Sequence, residues 1–375
     1  MRALLALVLS AVMSISYADE IIGYSAYENG DYTTAYQNLI GSAKNGNEEA
    51  MYLIARMYQF GLGVNKDLKQ AIYWYEKSAQ KNYPQSELNM GFLYDAGEGV
   101  PQDFKKAFYW YLRAAEKGNP IAQRNVGLMY ATGEGVESNE LEAFKWFQKS
   151  AEQGYSKAQV NLGYQYMMGY GIPKNINKAF YWYEQAAMQG DDKGQYSLGL
   201  LYSGNYGYPA NQKAATYWLQ QAASQGHVRA MAYLGYQYLN GLGVEADPTR
   251  AAFWFQSSAE QGNSFAQAQL GQLFLSGTGL QRDYQKAAFW FNKAAEHGNT
   301  MAQGKLGYLY ATGLGVTKDD IRAYAWLKIA VKNSNEQAKR DLERLEEKLT
   351  AEQKKEGEIL INQINKRIVN EEEAE

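Results

Sequence analysis

Apolar and polar positions follow one another along this chain at helical spacing, and the whole pattern returns every 36 residues. The copy from Asp103 to Val136 contains two apolar stripes with intervals of three and four residues, one around Ala107 and Tyr111 and one around Ala122 and Val126. Such intervals are typical of amphipathic helices, and a fixed period of this length is typical of stacked helical repeats. The pattern therefore predicts two helices per repeat and an all-α fold.

Two columns of this pattern can be followed through almost the whole chain. An alanine lies in the first helix of every copy, and a tryptophan follows three residues later in all copies but the first. Together these copies contain every tryptophan of the protein. The two columns are Ala35, Ala71, Ala107, Ala143, Ala179, Ala215, Ala251, Ala287 and Ala323, and Trp74, Trp110, Trp146, Trp182, Trp218, Trp254, Trp290 and Trp326.

A third column places Asp or Asn just before the first helix of every copy. A short side chain with an oxygen at this place can accept hydrogen bonds from the free N–H groups of the first turn, so the column predicts helix N-caps. Calcium binding is the alternative for a column rich in Asp, but ligands one repeat apart do not form a compact calcium loop. The column is Asp31, Asp67, Asp103, Asn139, Asn175, Asn211, Asp247, Asp283 and Asp319.

A glycine recurs inside the second helix, at Gly127 in the copy described above. A glycine in a helix costs about 1 kcal/mol relative to alanine, so we expect a close approach of the paired helices to offset it, with Trp110 and Tyr130 filling the space around the contact. Gly133 and Gly135 predict the tight turn that ends the repeat. A nucleotide-binding loop does not fit, because the strand and the phosphate-loop Lys are missing.

These columns form the pattern AxxW[YF]xxAAxxGxxxAQxxLGxxYxxGxGV, which resembles the Sel-one-like repeat family, a branch of the tetratricopeptide-type solenoids. The resemblance covers residues 31–338 as eight full repeats and a partial ninth, and it implies a right-handed α-solenoid of helix-turn-helix repeats. Three copies depart from the pattern, because Ala55, Asn82 and Asn205 replace the helix glycine, the glycine between the helices and the first turn glycine.

The same resemblance implies a function. Members of the family act as adaptors in the assembly of protein complexes, and exported bacterial members resemble factors that act at the host-cell interface, in entry and virulence. Some exported relatives carry a cysteine pair in each repeat. This chain has no cysteine, so the activities suggested for those relatives do not carry over.

The two ends of the chain differ from the repeats. Residues 1–18 combine a basic start, an apolar run from Ala3 to Met13 and a small residue at Ala18, which predicts a secretory signal peptide cleaved after Ala18. A membrane anchor is the alternative, although a spanning helix needs ~20 apolar residues. Residues 19–30 are expected to form an N-terminal cap, and residues 339–375 to form C-terminal capping helices and an acidic tail. We expect a secreted or periplasmic protein with no transmembrane segment and no lipid anchor.

A search for catalytic and metal-binding groups finds little. The two histidines, His227 and His297, have no partner at metal-ligand spacing, and neither a thiol nor a GxSxG nucleophile motif is present. A net charge of −3 does not favour nucleic acid as a partner. We therefore predict no cofactor, no metal, no catalytic residue and no enzymatic activity. Carboxylates that converge from distant repeats, as in a cell-wall or β-lactam hydrolase, are the least favoured alternative.

Columns that vary between copies are free to serve a ligand, because stacking fixes the columns that do not vary. One variable stripe lies on the first helix and includes the residue before the tryptophan; it is aromatic in most copies and basic in the second to fourth. First helices line the concave face of many two-helix solenoids, so this stripe predicts a partner-binding groove. Its candidate residues are Lys69, Tyr73, Lys77, Lys105, Tyr109, Arg113, Lys145, Lys149, Tyr181 and Tyr217.

Such a groove suits an acidic peptide, a phosphorylated motif or an anionic lipid headgroup. Two interpretations are open at this point: the rings and cations contact a partner, or the cations are simply solvated and the rings pack against neighbouring repeats. The favoured function is an exported scaffold that binds host-cell proteins or anionic ligands and promotes host-cell entry. The alternative is a periplasmic scaffold for envelope complexes or signalling.

Overall fold

A computed structural model describes residues 19–372, and it describes side chains as far as residue 367. The predicted signal peptide and the last three residues lie outside this range. The described chain is helical throughout and contains no β-strand. It begins in α1, over residues 19–28, and continues with α2 Tyr32–Lys44, α3 Glu48–Phe60, α4 Leu68–Gln80, α5 Pro84–Ala96, α6 Phe104–Glu116, α7 Pro120–Thr132, α8 Glu140–Glu152, α9 Ser156–Met168, α10 Ile176–Met188, α11 Asp192–Tyr202, α12 Gln212–Ser224, α13 Val228–Asn240, α14 Pro248–Ala259, α15 Ser264–Ser276, α16 Tyr284–Glu296, α17 Thr300–Thr312, α18 Asp320–Lys332, α19 Glu336–Glu346 and α20 Ala351–Glu372.

The helices form two compact units that meet in the chain at residue 186, near the end of α10. Within the repeats of each unit, consecutive helices pack against each other with their apolar stripes facing, as in α2 to α9 and in α11 to α19. The two-helix repeat predicted from the sequence is therefore confirmed, and so is the all-α tandem-repeat fold of the solenoid class. In the second unit, α19 and α20 follow the last repeat, and Thr350 and Gln353 form the expected capping box at the start of α20.

All nine Asp and Asn residues of the cap column accept a hydrogen bond from a backbone N–H in the first turn of their helix. At Asp103, for example, the side-chain oxygen accepts from the N–H of Lys106 at 3.0 Å. The N-cap prediction is confirmed. These carboxylates and amides fix where each first helix begins, and thereby fix the register of the stripe that follows.

The glycine inside each second helix faces a large side chain of the following first helix. A Cβ atom on Gly127 in α7 would lie 2.7 Å from the ring of Phe147 in α8. Phe147 is buried, so the ring has no free space into which it could move. The same contact joins Gly91 to Tyr111, Gly163 to Tyr183, Gly235 to Phe255 and Gly271 to Phe291, while leucines, Leu219 and Leu327, face Gly199 and Gly307.

This finding corrects the sequence-based expectation in two respects. The residue that fills the space at Gly127 is Phe147 of the next repeat, whereas Tyr130 lies with its ring edge against Phe108. The helices that approach closely are therefore a second helix and the first helix after it, not the two helices of one predicted repeat. That pair also shares the larger interface in both units wherever the two interfaces are described.

The three departures from the repeat pattern have local consequences only. Asn82 takes over the left-handed conformation of the missing glycine, with φ of 68°. Ala55 replaces the helix glycine, yet Tyr75 is still completely buried with its hydroxyl donating to Gln59 at 2.7 Å. Near Asn205, α11 ends at Tyr202 and is two residues shorter than the usual second helix of 13 residues.

We predict that Gly127→Ala lowers the stability of the fold by about 1–3 kcal/mol, because the added methyl group would overlap the Phe147 ring. Gly41→Ala is the matched control. Gly41 also lies inside a helix, α2, but has no neighbour within 4 Å, so alanine there should stabilise by up to about 1 kcal/mol. Urea unfolding followed by circular dichroism measures both. Equal shifts of the two midpoints would contradict the assigned role of the glycine column.

Candidate functional site

The predicted tyrosines of the stripe are half exposed. Tyr73, Tyr109, Tyr181 and Tyr217 expose 49% to 56% of their surface. In each case the ring lies edge-on against the tryptophan that follows it in the same helix, with centroids 5.0–5.1 Å apart. Edge-to-face pairs of this kind are favourable, so each tryptophan holds its tyrosine in place while leaving one side of the ring open.

The fourth repeat replaces the tyrosine by Lys145, and there a cation covers the tryptophan instead. The Lys149 ammonium lies 4.0 Å from the centroid of the Trp146 ring, while Lys145 forms an ion pair with Glu142 at 2.6 Å. In the second repeat the Lys77 ammonium lies 5.7 Å from the Tyr73 ring centre. Cations and aromatic rings therefore alternate over the same helix face in the first unit.

Four of the predicted lysines are exposed and form no ion pair with any residue that the structure describes. They lie on the first helices α4, α6 and α8, beside or one turn from the stripe aromatics. Their charge is therefore available to an anionic partner, although at exposed sites each such pair contributes only about 0.2–1 kcal/mol. The four residues are Lys69, Lys77, Lys105 and Lys149.

Arg113 lies in the stripe but is committed to a buried carboxylate. Its guanidinium contacts the Glu87 carboxylate at 2.8 Å, and Lys117 contacts the same oxygen at 2.6 Å. The Glu87 side chain is 0% exposed. Arg113 also donates to the backbone carbonyl of Ala79 at 3.2 Å. A buried carboxylate without a neutralising cation is strongly destabilising. Arg113 is therefore needed to stabilise the fold, and its charge is not available to a bound protein.

The neighbouring repeats show why Arg113 is needed there. At the position equivalent to Glu87, the next repeat has Gln123, whose amide donates to the last turn of α6 at Ala115 and accepts from Gln153 at 2.7 Å. A carboxylate cannot donate a hydrogen bond, so Glu87 cannot replace the bond that Gln123 makes to the Ala115 carbonyl. In the Glu87 repeat the equivalent carbonyl is that of Ala79 in α4, and the Arg113 guanidinium donates to it instead. Lys117 takes the place of Gln153 in the same way.

The stripe changes character in the second unit. Phe253 and Phe289 continue the aromatic column after Tyr217 and are exposed, each with its ring edge on the next tryptophan. In the last repeat the equivalent residue is Ala325, which is completely buried, and Ile329 one turn later is buried as well. The final stripe is therefore small and apolar where the earlier ones are aromatic.

Helix α20 covers this final stripe. It packs mainly on α18, where Ile364 joins the cluster of Ala325, Trp326 and Ile329, with Leu360 at its border. A Cβ atom on Gly357 would lie 2.4 Å from the Tyr324 ring, so the glycine again permits a close approach of two helices. Whether a terminal helix covers the stripe could not be judged from the sequence. Here α20 packs mainly on α18 and also touches α16, while Phe289 of α16 is still 54% exposed.

A charged cluster holds the edge of this contact. Lys328 donates to Glu358 of α20 at 2.6 Å, and the hydroxyl of Tyr324 donates to the same carboxylate at 2.9 Å. The hydrogen bond from Lys328 holds the pKa of the Glu358 carboxyl below its usual value and that of the Lys328 ammonium above it. The face is thus closed by apolar contacts at its centre and by a lysine–glutamate pair at its rim.

The second helices of the second unit form a groove that the sequence analysis did not identify. It has a volume of about 540 Å³ and lies where Ala232 occupies a column that is Tyr, Leu, Arg or Val in the preceding repeats. Burial raises the pKa of Tyr196 to about 12, and the imidazole of His227 stacks on its ring at 4.4 Å. The small alanine is the only sequence signal for it. Its lining residues are Tyr196, Arg229, Ala232, Tyr233, Tyr236, Asn263 and Phe265.

The two histidines act at helix ends. Nδ1 of His227 accepts from the N–H of Ala230 at 3.1 Å and caps α13, and burial holds the pKa of this imidazole below its usual value. The ring of His297 contacts the Lys293 carbonyl at the end of α16. Among the residues that the structure describes there is no group of three or more potential metal ligands. Over the same range, no helix is both long and apolar enough to cross a membrane.

We predict that Arg113→Ala destabilises the protein by about 1–3 kcal/mol, because Glu87 loses a charged partner and the Ala79 carbonyl loses one of its two donors, keeping the N–H of Asn82. In a Glu87→Gln background the loss should be clearly smaller, since the new amide can donate as Gln123 does. Lys77→Ala, at the equivalent position one repeat earlier and without an ion pair, should stay within about 0.5 kcal/mol. The unfolding midpoints of the wild type, Arg113→Ala, Glu87→Gln and the double variant form a double-mutant cycle, with Lys77→Ala measured beside it. Additive losses would show that Arg113 is not tied to Glu87.

The comparisons with known proteins agree with this architecture. The Sel1 repeat model matches residues 48–83, 84–119, 120–155, 156–191, 192–227, 228–263, 264–299 and 300–335. Each match begins with a second helix and ends after the next first helix, which are the two helices joined by the glycine contact.

Two solved structures are similar over most of the chain. A protective antigen of uropathogenic Escherichia coli strains, which displays an SLR fold, is 31% identical over 96% of this chain and 86% of that chain, with a TM-score of 0.55. A Sel1 repeat protein from Oxalobacter formigenes is 32% identical over 82% of this chain and 89% of that chain, with a TM-score of 0.62. A comparison with curated proteins found no match. The chain belongs to the Sel1 repeat family.

Proposed function

We propose that the protein is an exported interaction scaffold that binds partner proteins through the first-helix stripe of its first unit. Sel1 repeat proteins are in general scaffolds for protein interaction. The observation that carries the proposal is the set of half-exposed tyrosines, each supported by its own tryptophan, with lysines that form no ion pair on both sides of Tyr73 and on one side of Tyr109. Tyrosine presents a rigid, amphipathic surface that loses little conformational entropy on binding and is frequent at interaction hot spots.

The charge of the stripe favours an acidic partner. In the second and third repeats, none of the stripe residues is a carboxylate. Positive charge on this face comes from Lys69, Lys77, Lys105 and Lys149. Positive charge around aromatic anchors favours acidic protein segments through electrostatic complementarity. A phosphorylated motif or an anionic lipid headgroup shares the charge but does not need a row of rings. We therefore place an acidic protein segment first, and assign the protein no catalytic role.

Two further observations support a place outside the cytoplasm. The first residues read as a signal peptide, and the similar Escherichia coli protein is described as a protective antigen, which is consistent with a location that a host can reach. A role at the host-cell interface, in entry or virulence, follows as the favoured biology. A periplasmic scaffold for envelope complexes or signalling uses the same stripe and differs only in where the partner lies.

We predict that Tyr73→Ala with Tyr109→Ala weakens partner binding by about tenfold or more, because each ring is an exposed anchor supported by the tryptophan that follows it. The measurement is an affinity pull-down with the mature chain from Asp19, run against host-cell lysate and against envelope extract, with mass spectrometry. Phe60→Ala is the matched control, since Phe60 is equally exposed but lies at the end of a second helix. If both variants retain the same partners as the wild type, the stripe is not the binding surface.

We predict that bacteria expressing the full chain export it and that the mature protein begins at Asp19, because residues 1–18 have the apolar run and small residues of a cleaved leader. Cell fractionation and N-terminal sequencing test this. Protein found in the culture medium together with partners from host lysate supports the host-interface role. Protein confined to the periplasm and bound only to envelope proteins would contradict the host-interface role and support the periplasmic scaffold.

A further inference from the structure

We propose that the segment bound by the stripe of the first unit is an amphipathic α-helix with acidic residues beside its apolar face. This inference rests on the proposed function and adds the form of the partner. The observation behind it is α20, a helix that lies on the equivalent stripe of the last repeat.

The last repeat shows how this face accepts a helix. Its stripe reads Ile321, Ala325 and Ile329, at the positions that carry Lys, Tyr and Lys in the second repeat. Helix α20 lies over it with Gly357, Leu360, Ile361 and Ile364, which follow one another at the three- and four-residue spacing of one helix face. A helix can therefore be seated against these positions of a first helix without distorting it.

The rim of that contact also indicates the charge of the ligand. Glu358 of α20 lies at the border of the apolar contact and bonds to Lys328 at 2.6 Å. In the first unit, Lys69, Lys77, Lys105 and Lys149 of the stripe have no such carboxylate among the described residues, whereas Lys145 is paired with Glu142. A partner helix that places acidic residues beside its apolar face would supply them, and would extend to several lysines the pairing that Glu358 makes with one.

A helix fits this face better than an extended peptide does. An extended segment leaves its backbone N–H groups unpaired and needs acceptors on the surface that binds it. In the second and third repeats the exposed groups of the stripe are lysine ammoniums, which only donate, and tyrosines, whose hydroxyls are the only acceptors among these exposed side chains. A helix satisfies its own backbone groups and needs from the surface only apolar area and cations, which the stripe provides.

The test uses a fluorescent synthetic peptide with the sequence of residues 351–372 in which Lys355, Lys366 and Arg367 are replaced by Glu. This probe keeps the α20 face and adds acidic residues at exposed places. Its binding to the full-length mature chain is measured by fluorescence anisotropy. The control peptide also carries Leu360→Asn, Ile361→Asn and Ile364→Asn, which removes the apolar face and leaves its length and charge unchanged.

We expect the probe to bind, to bind about tenfold more weakly to the Tyr73→Ala, Tyr109→Ala protein, and to lose affinity in high salt. The control peptide should not bind. Lys69→Glu with Lys105→Glu is a second protein variant; both lysines are exposed and neither has an ion pair or a ring contact among the described residues, so this variant decides the question if the tyrosine variant is poorly folded. It too should weaken the probe about tenfold.

Absence of probe binding, or binding that neither protein variant changes, overturns the inference. Binding that neither variant changes would mean that the probe displaces α20 from α18 and does not bind the first-unit stripe. The pull-down separates this failure from that of the proposed function: partners that still depend on Tyr73 and Tyr109 show that the stripe binds proteins of another form, whereas partners that do not depend on them remove both proposals.

Discussion

The contact between a helix glycine and the ring of the following repeat controls how this protein is built. At Gly127 and Phe147 there is no room for even a methyl group, so the Phe147 ring lies directly against the α7 backbone. The contact joins a second helix to the first helix of the next repeat, and thus each repeat is completed by its successor. A single repeat would expose the glycine on one side and the ring on the other, which explains why the fold exists only as a tandem array.

This constraint also decides which positions are free to vary. The ring next to the tryptophan is fixed on the glycine, and the alanine column is fixed inside the helix pair, whereas the residue before the tryptophan faces outward. The tryptophan of each repeat, such as Trp74 or Trp110, packs partly inward and also contacts the ring of the preceding tyrosine, Tyr73 or Tyr109. The surface available for binding is therefore built directly on the structural core, and its aromatic residues are held without a separate supporting shell.

The sequence predicted the parts that depend on local chemistry and failed where the result depends on which helices face each other. The cap at Asp103 and the repeat period follow from neighbouring residues, and both were confirmed. The partner of Gly127 was misassigned because Trp110 and Phe147 are both large and apolar, and spacing alone does not tell which repeat supplies the ring. The groove at Ala232 was missed for a similar reason, since one small residue opens a space only when the neighbouring helix is known.

The buried and exposed columns differ in how they can change, and this difference identifies where function resides. Gln123 with Gln153 and Glu87 with Lys117 are two versions of one buried link, and the charged version also requires Arg113 in place of an amide donor. A buried column therefore changes only together with its partners, because an unsatisfied group costs too much. Where the outward column is exposed it is less constrained: it changes from tyrosine to lysine or phenylalanine with its supporting tryptophan kept. Freedom to change one residue at a time is what a repeat array needs in order to adapt to a new partner, and in this chain the first-helix stripe has that freedom.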